Sequence, residues 1–436
     1  MKKVLIITYY WPPSGGAGVQ RMLKFVKYLG SFGIEPIVIT VDENKASYQL
    51  TDESLLKDIP ENIRIIKTAT FEPFEFYKLF GRKKEIPHSG FANESNPGLL
   101  QKIMRFIRGN FFIPDARKGW NKYAYKAAIE VLKKENIAAI ITSSPPHSTQ
   151  VLGLKLKKIS KLPWIADLRD PWTDIYYYKQ MLHTAIARKI DADLERAVLE
   201  NSDSIMVVSQ DIKRIFAAKT STDISDKIHV IPNGYDEEDF EIEAVENKNE
   251  FSITYTGTFA DIYVIDAFLD AFKKITETHI NLNLKVKFIG KVSGNLEQKV
   301  EAANLVKYFS FKPYVPHNES VKALMNSTVL LMVIPKMEKN EGILTGKLFE
   351  YLGSEKPIIC IGPAHGDAAQ IIADCNAGKT FDYNNAEGIY NYLDKLILSY
   401  TNGEINQHKS LNVNKYSRKK LTGNLAEIIN NLTQDE

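Results

Sequence analysis

The residues best suited to chemistry fall in a few short clusters, each following an apolar, β-branched run. In the first, Ser14-Gly15-Gly16-Ala17-Gly18 leads into a helical pattern that carries Gln20 and Arg21. Glycines at such a junction permit a tight turn and close backbone approach to a ligand. The helix start adds unpaired N–H groups and a positive dipole end, which suit an anion. The run lacks the third Gly of G-x-G-x-x-G and the Gly-Lys-Ser/Thr of a P-loop. It therefore reads either as a structural turn or as a phosphate contact through Gly15, Gly16 and Arg21. The second cluster is Ser143-Ser144-Pro145-Pro146-His147-Ser148. Strand C-termini line the ligand crevice of open α/β sheets, so His147 is either a structural histidine or a ligand for a sugar hydroxyl or phosphate. The third, Asp167-Leu168-Arg169-Asp170-Pro171-Trp172, puts three charges within four residues at a strand end. Such charges are costly to bury unless paired. Asp167 and Arg169 read as an ion pair, and Asp170 as a ligand for an acceptor hydroxyl or as a base.

The second half holds the most definite pattern, Gly342-Ile343-Leu344-Thr345-Gly346-Lys347-Leu348-Phe349-Glu350-Tyr351-Leu352. Gly346 precedes a short helix, with Lys347 at its start and Glu350 one turn on, on the same face. A lysine is slightly unfavourable beside the positive end of a helix, so a diphosphate partner makes better sense of it. The glutamate can accept hydrogen bonds from both hydroxyls of a ribose. The plain alternative is an i,i+3 surface pair worth about 0.2–0.5 kcal/mol. Leu348 lies inside the same segment, and Glu341 adds a carboxylate on the preceding loop beside Gly342. Two other strands end in small-residue turns, at Gly257-Thr258 and Gly290-Lys291. Each either merely turns the chain or passes close to a nucleotide.

The elements that must position these clusters repeat along 436 residues, a length that suits two domains of comparable size. Buried strands are predicted at Val4–Tyr9, Pro36–Val41, Ile63–Thr68, Ala138–Ser143, Trp164–Leu168, Ser204–Ser209 and Ile228–Pro232. Helical patterns at Gly18–Phe32, Tyr123–Glu135 and Leu182–Glu200 lie between several of them. Near-continuous apolar strands alternating with helices imply a parallel, doubly wound sheet. After the acidic stretch Asp236–Glu250 the pattern restarts, with strands at Ser252–Thr256, Val286–Gly290, Phe309–Val315, Val329–Pro335, Pro357–Ile361 and Lys379–Tyr383. A final helix spans Ser417–Leu432. The expected division is 1–235, 236–415 and a C-terminal helix in 416–436. Phe71–Gly119 breaks the rhythm. Within it Leu99–Phe112 has apolar residues at helical spacing with basic residues between, which reads as a helix packed on its own domain or as one lying on a membrane surface.

Composition narrows the function. With 56 basic and 53 acidic residues the net charge is +3, which gives no basis for nucleic-acid binding. No run approaches the length of a membrane span. The N-terminal apolar run ends in Trp-Pro-Pro, so it is expected to be a first strand and not a signal peptide. Two cysteines, Cys360 and Cys375, build neither a disulfide framework nor a metal cage, and a cytoplasmic location is expected.

Taken in order, TYYWPPSGGAGVQR, PDARKGW, SSPPHS, WIADLRDPW, IPNGYD, TGTF and TGKLFEYLGSEKPI resemble the family-4 retaining glycosyltransferases over most of the chain. The resemblance implies a GT-B fold: two Rossmann-like doubly wound domains facing across a cleft, with the C-terminal helix crossing back to the first. It implies a nucleotide-sugar donor on the second domain and a glycan or lipid-linked acceptor on the first. Lys347 would contact the diphosphate, Glu350 the ribose, Gly16 the donor phosphates and His147 the transferred sugar. No metal or other cofactor is implied, and no enzyme nucleophile, because the leaving phosphate assists deprotonation of the acceptor. The family pattern has two Glu with seven residues between. Here Gly342 stands at the first position, with Glu341 one residue before it. The family's Arg and Lys after the strand opening the second domain are replaced within Gly257-Thr258-Phe259-Ala260-Asp261, which shifts diphosphate neutralisation onto Lys347 with Arg21 or Lys291. Attachment at the inner face of the cell membrane through 99–112 goes with a lipid-linked acceptor. A sugar-nucleotide epimerase and a non-catalytic nucleotide- or partner-binding module of the same fold are the alternatives.

Overall fold

The computed structural model describes residues 1–48, 50–72, 99–242, 249–405 and 410–434. The chain divides into two compact units, Met1–Pro232 with Arg418–Glu436, and Asn233–Ser417. In the first unit, β1 (Lys2–Ile7), β2 (Ile34–Val41), β3 (Arg64–Thr68), β4 (Ile137–Ser144), β5 (Trp164–Leu168), β6 (Ser204–Val207) and β7 (Ile228–Val230) form one parallel sheet. Their order is β3-β2-β1-β4-β5-β6-β7. Both faces are covered, and β1 shows why its sequence is apolar from Val4 to Ile7. Leu5 and Ile7 enter a core with Trp120, Ala124, Leu152 and Leu199, while Val4 and Ile6 enter a second core on the other face. That second core is built on the helices Ala17–Leu29 and Arg418–Leu432, through Val19, Leu23, Leu421, Leu425 and Ile429. Lys2 Nζ fastens the C-terminal helix by donating to Asn430 Oδ1 (3.1 Å) and Thr433 Oγ1 (2.7 Å).

The second unit repeats the plan. Strands β8 (Phe251–Thr256), β9 (Leu284–Ile289), β10 (Phe309–Lys312), β11 (Val329–Val333), β12 (Ile358–Ile361) and β13 (Gly378–Phe381) form a parallel sheet in the order β10-β9-β8-β11-β12-β13. In each unit the chain winds outward from its first strand and then returns to that strand's other side. The reversal lies between β1 and β4, and again between β8 and β11, and the loops leaving those strands flank a ready-made crevice.

The elements differ from expectation mainly at their ends. β10 stops at Lys312, because Pro313 has no N–H for the ladder and the strand is an exposed edge. The first helix ends at Leu29 and tightens into a 3₁₀ turn, Gly30–Phe32, closed by left-handed Gly33. The helix predicted from Leu182 begins at Ala185, where the Thr184 side chain accepts from Ala187 N. Leu99–Phe111 is helical, and the irregular part of Phe71–Gly119 at 73–98 lies outside the described residues. So do 243–248 of the acidic stretch, which begins with a 3₁₀ turn at Glu237–Phe240 capped by Asp236.

One buried ion pair ties the first unit together. The Arg21 side chain is wholly buried and donates to Asp167 Oδ1 from Nη2 (2.8 Å) and to the Ile231 and Pro232 carbonyls from Nη1 (2.7 and 2.9 Å). Asp167, also wholly buried, accepts from Ser143 Oγ at 2.7 Å. This corrects two expectations. Asp167 pairs with Arg21, not with Arg169. Arg21 in turn is no phosphate ligand, since its guanidinium is committed inside the unit. Replacing Arg21 by Met leaves a buried carboxylate without its cation and should cost about 3–5 kcal/mol in urea denaturation. Arg21→Met combined with Asp167→Leu should recover much of that loss.

Candidate functional site

The two crevices hold different chemistry. In the second unit the site is built on a pair of glycines. Gly257, after β8, and Gly290, after β9, have φ of 92° and 134°, which L side chains rarely adopt. They also touch: a Cβ on Gly290 would lie 2.4 Å from the Gly257 carbonyl oxygen. A Cβ on Gly257 would lie 2.6 Å from Lys347 Cε, so the missing side chain is what admits the lysine.

Lys347 opens the helix Gly346–Gly353 and reaches back over this turn. Its ammonium donates to Tyr255 Oη at 2.5 Å and to the Thr258 carbonyl at 3.3 Å. It also lies 4.2 Å from the Tyr255 ring centre and 5.8 Å from that of Tyr263. Burial disfavours its charge and lowers its pKa to about 7, an effect that the Glu350 carboxylate opposes. The helix start supplies further N–H groups without intrahelical partners, and the Thr345 hydroxyl just before it is buried with no hydrogen-bond partner. A lysine whose charge is disfavoured, a helix start and a buried hydroxyl together can hold an anion.

Glu350 lies one turn on, half-buried, with Oε1 3.7 Å from His317 Nδ1. The other nitrogen of His317 lies 3.2 Å from Asp239 Oδ2. His317 thus sits between two carboxylates, a feature the sequence reading missed. Its only signal was Pro316-His317 opening a helix after an edge strand. Asn340 steadies the loop between β11 and the helix by donating to the Pro335 carbonyl and to Tyr383 Oη, both at 2.8 Å. Glu341 has an exposed side chain, while its carbonyl accepts from Asp367 N (2.8 Å), and Gly342 follows it on the partly exposed loop. Leu348 departs from expectation. Its side chain is wholly buried in the core and its N–H donates to the Thr345 carbonyl, so neither is presented to a ligand. Lys291 is exposed, and its carbonyl accepts from Phe259 N.

In the first unit Gly16 caps the helix Ala17–Leu29 with φ 101°, and Gly15 N donates to the Leu50 carbonyl. Gly18 serves a different purpose. A Cβ there would sit 1.7 Å from Arg169 Nη1, so the glycine leaves room for the guanidinium. Arg169 donates to the Ser144 and Pro145 carbonyls (2.9 and 3.1 Å), which joins the loops after β1, β4 and β5.

His147 ends the β4 loop and stacks on Trp172, with ring centres 4.6 Å apart and planes within 13°. Burial, then the charges of Arg169 and Lys219, push its pKa down to about 3, so the imidazole is neutral. Its Nδ1 is buried and has no hydrogen-bond partner. Two groups hold this pair. Asp115, in PDARKGW, accepts from Ser148 N (2.7 Å) and Ser148 Oγ (2.9 Å) at the start of the helix that follows His147. Trp172 Nε1 donates to Asp191 at 2.9 Å. Asp170 is half-buried, and burial raises its carboxyl above the ordinary range against the pull of Arg169. Among the described residues no group of three or more His, Cys, Asp or Glu is placed to hold a metal ion, and no helix is long and apolar enough to cross a membrane.

The glycine pair gives a direct check on this geometry. Gly290→Ala should displace the Gly257 turn and cost about 1–3 kcal/mol, read as a fall in Tm.

Comparison with known proteins finds matches to both halves of the chain. The model of Glycosyltransferase Family 4 matches residues 15–239, and that of Glycosyl transferases group 1 matches 236–420. No curated protein matches the sequence significantly. Among solved structures, sucrose-phosphate synthase from Thermosynechococcus elongatus is 12% identical with a TM-score of 0.64, and the match covers 100% of both chains. HepE from Anabaena in complex with UDP-glucose is 11% identical with a TM-score of 0.58, covering 99% of this chain and 100% of that one. A mutant of TarM from S. aureus, in complex with fondaparinux, α-GlcNAc-glycerol and UDP, is 12% identical with a TM-score of 0.58, again over 99% and 100%. These likenesses are of fold. With family models matching both halves in order, the chain belongs to the family-4, group 1 glycosyltransferases of GT-B type.

Proposed function

We propose that this protein transfers a sugar, with retention, from a UDP- or GDP-linked donor to a glycan or lipid-linked acceptor. The synthesis served would be that of a cell-surface polysaccharide, on the cytoplasmic side of the cell membrane. The observation that carries the reading is Lys347, held over the Gly257–Gly290 pair with its charge disfavoured, and followed one turn later by Glu350. HepE with UDP-glucose and TarM with UDP, proteins of the same fold, support a nucleoside-diphosphate donor.

On this reading the second unit takes the donor. Lys347 and the helix start neutralise the diphosphate, which gains most of its stabilisation as charge develops on the leaving group. That role requires no metal ion. Glu350 accepts from the ribose hydroxyls, and Glu341 and Gly342 border the donor sugar. The backbone at Gly257, Thr258, Gly290 and Lys291 follows the nucleotide. The first unit takes the acceptor. Neutral His147 offers a ring nitrogen to a sugar hydroxyl, and Asp170 orients an acceptor hydroxyl. Gly16 offers its backbone N–H to phosphate, whereas the Gly15 N–H is taken by the Leu50 carbonyl. The leaving phosphate oxygen takes the acceptor proton, so no side chain acts as nucleophile.

Two measurements test the donor site. Thermal shift with UDP, GDP, ADP and their sugar conjugates should single out one base. A ligand at 100 times its Kd stabilises by about 2.7 kcal/mol, and Glu350→Ala should abolish the shift. Absence of any shift in folded protein would favour a non-catalytic module, and nucleotide release without acceptor would favour an epimerase. The second measurement is pH dependence. The ammonium form of Lys347 binds phosphate, and it is lost as pH rises through about 7. Nucleotide affinity should therefore fall between pH 6 and pH 9, by up to about tenfold per unit. Binding at pH 8, followed by calorimetry in buffers of different ionisation enthalpy, should take up protons. Lys347→Met should flatten both effects.

A further inference from the structure

The helix Leu99–Phe111 is turned inside out. Arg105 is only 5% exposed, and Gly109 backs so closely on the Met181 carbonyl that a Cβ there would lie 2.3 Å from it. The opposite arc carries Ile103, Phe106, Ile107 and Phe111, all open to solvent, with Phe111 66% exposed. A helix packed only for its own domain would place these residues inward.

The apolar surface continues onto a neighbour. Asn110 Nδ2 donates to the Leu182 carbonyl (3.1 Å), and Thr184 N donates to Asn110 Oδ1 (2.7 Å). This fastens the start of the helix Ala185–Asn201 to the end of the first helix. On that second helix Ile186 and Ile190, one turn apart, are 74% and 46% exposed. Lys102, Lys179, Arg188 and Lys189 are exposed on the same segments. Residues 99–112 and 176–190 together contain six Lys or Arg and no Asp or Glu. The neighbouring Asp193 is exposed and paired with Lys189 at 3.0 Å.

We propose that this two-helix face docks on the surface of an anionic phospholipid bilayer, its phenylalanines and isoleucines entering the acyl boundary and its lysines and arginines meeting lipid phosphates. Charge decides between this partner and a second copy of the chain. A two-fold interface would set the basic rim against itself, whereas an anionic membrane neutralises it. The face deepens the transferase reading, resting on it for its purpose, access to a lipid-linked acceptor, but not for its binding.

The test is cosedimentation of the full chain with phosphatidylcholine vesicles made with and without phosphatidylglycerol, at low salt. Its variants are Phe106→Ser with Phe111→Ser, and Lys102→Glu with Lys189→Glu. All four positions are exposed, and circular dichroism melts confirm folding. The wild type should bind the phosphatidylglycerol vesicles, and each pair should weaken that binding by about tenfold or more while the nucleotide thermal shift is unchanged. No binding to these vesicles by protein that still responds to nucleotide overturns the docking face and leaves the transferase reading standing. Vesicle binding without a nucleotide response does the reverse. Equal binding to phosphatidylcholine alone overturns the anionic-lipid assignment. A solution dimer that Phe106→Ser with Phe111→Ser dissociates also overturns the proposal and assigns the face to self-association.

Discussion

Everything in the first unit's crevice hangs on the burial of one ion pair, Arg21 with Asp167. Two charges far from water are tolerable only if every donor and acceptor is answered. Here Ser143 and the carbonyls of Ile231 and Pro232 complete the set. The partners come from the helix after β1, the end of β4, the end of β5 and the segment after β7. Satisfying one arginine therefore fixes the relative positions of four chain segments. It also leaves Arg169 to brace the next layer out, through the Ser144 and Pro145 carbonyls and the space left by Gly18. His147 is presented by that braced loop.

The second unit solves the same problem with backbone instead of charge. Two positive-φ glycines in contact bring the turns after β8 and β9 together, and the absent Cβ of Gly257 makes room for Lys347. Tyr255 then does two things for the lysine. Its ring faces the ammonium and its hydroxyl accepts from it, so the side chain stays extended over the turn instead of swinging into water. The cost is a depressed pKa, which an incoming phosphate would reverse. His317 holds Glu350 from the far side and is itself held by Asp239, which limits the freedom of the carboxylate.

Segments between the main elements have structural reasons of their own. PDARKGW lies far from SSPPHS in sequence, yet Asp115 caps the helix that follows His147. Trp120 fills the core and donates to Thr68. Arg117 binds Glu72 and Ser47, anchoring the chain just before the residues at 73–98. A motif without an obvious catalytic residue can thus support a site by fixing the helix from which that residue projects.

The sequence by itself determined the fold. The thirteen predicted runs match thirteen strands among the described residues, and the central ones are apolar because a parallel sheet covered on both faces demands continuous hydrophobicity, a signal strong enough to read locally. It also placed Lys347 and Glu350 on one helix, since their spacing is a local property of that helix. Tertiary structure alone decided which charges meet. Arg21 lay in a glycine-rich, phosphate-like context, yet it found Asp167 across 146 positions. The intervening Asp167-Leu168-Arg169 spacing suggested a different pair. Leu348, flanked by functional-looking neighbours, turned inward because helix geometry puts it on the core side. His317, Tyr255 and Asp115 acquire their roles only through contacts across distant sequence, for which no local period exists. The exposed phenylalanines of 99–111 were visible as an amphipathic stripe. Which side of that stripe faces water depends on what the rest of the unit packs against it, here Arg105 and Gly109.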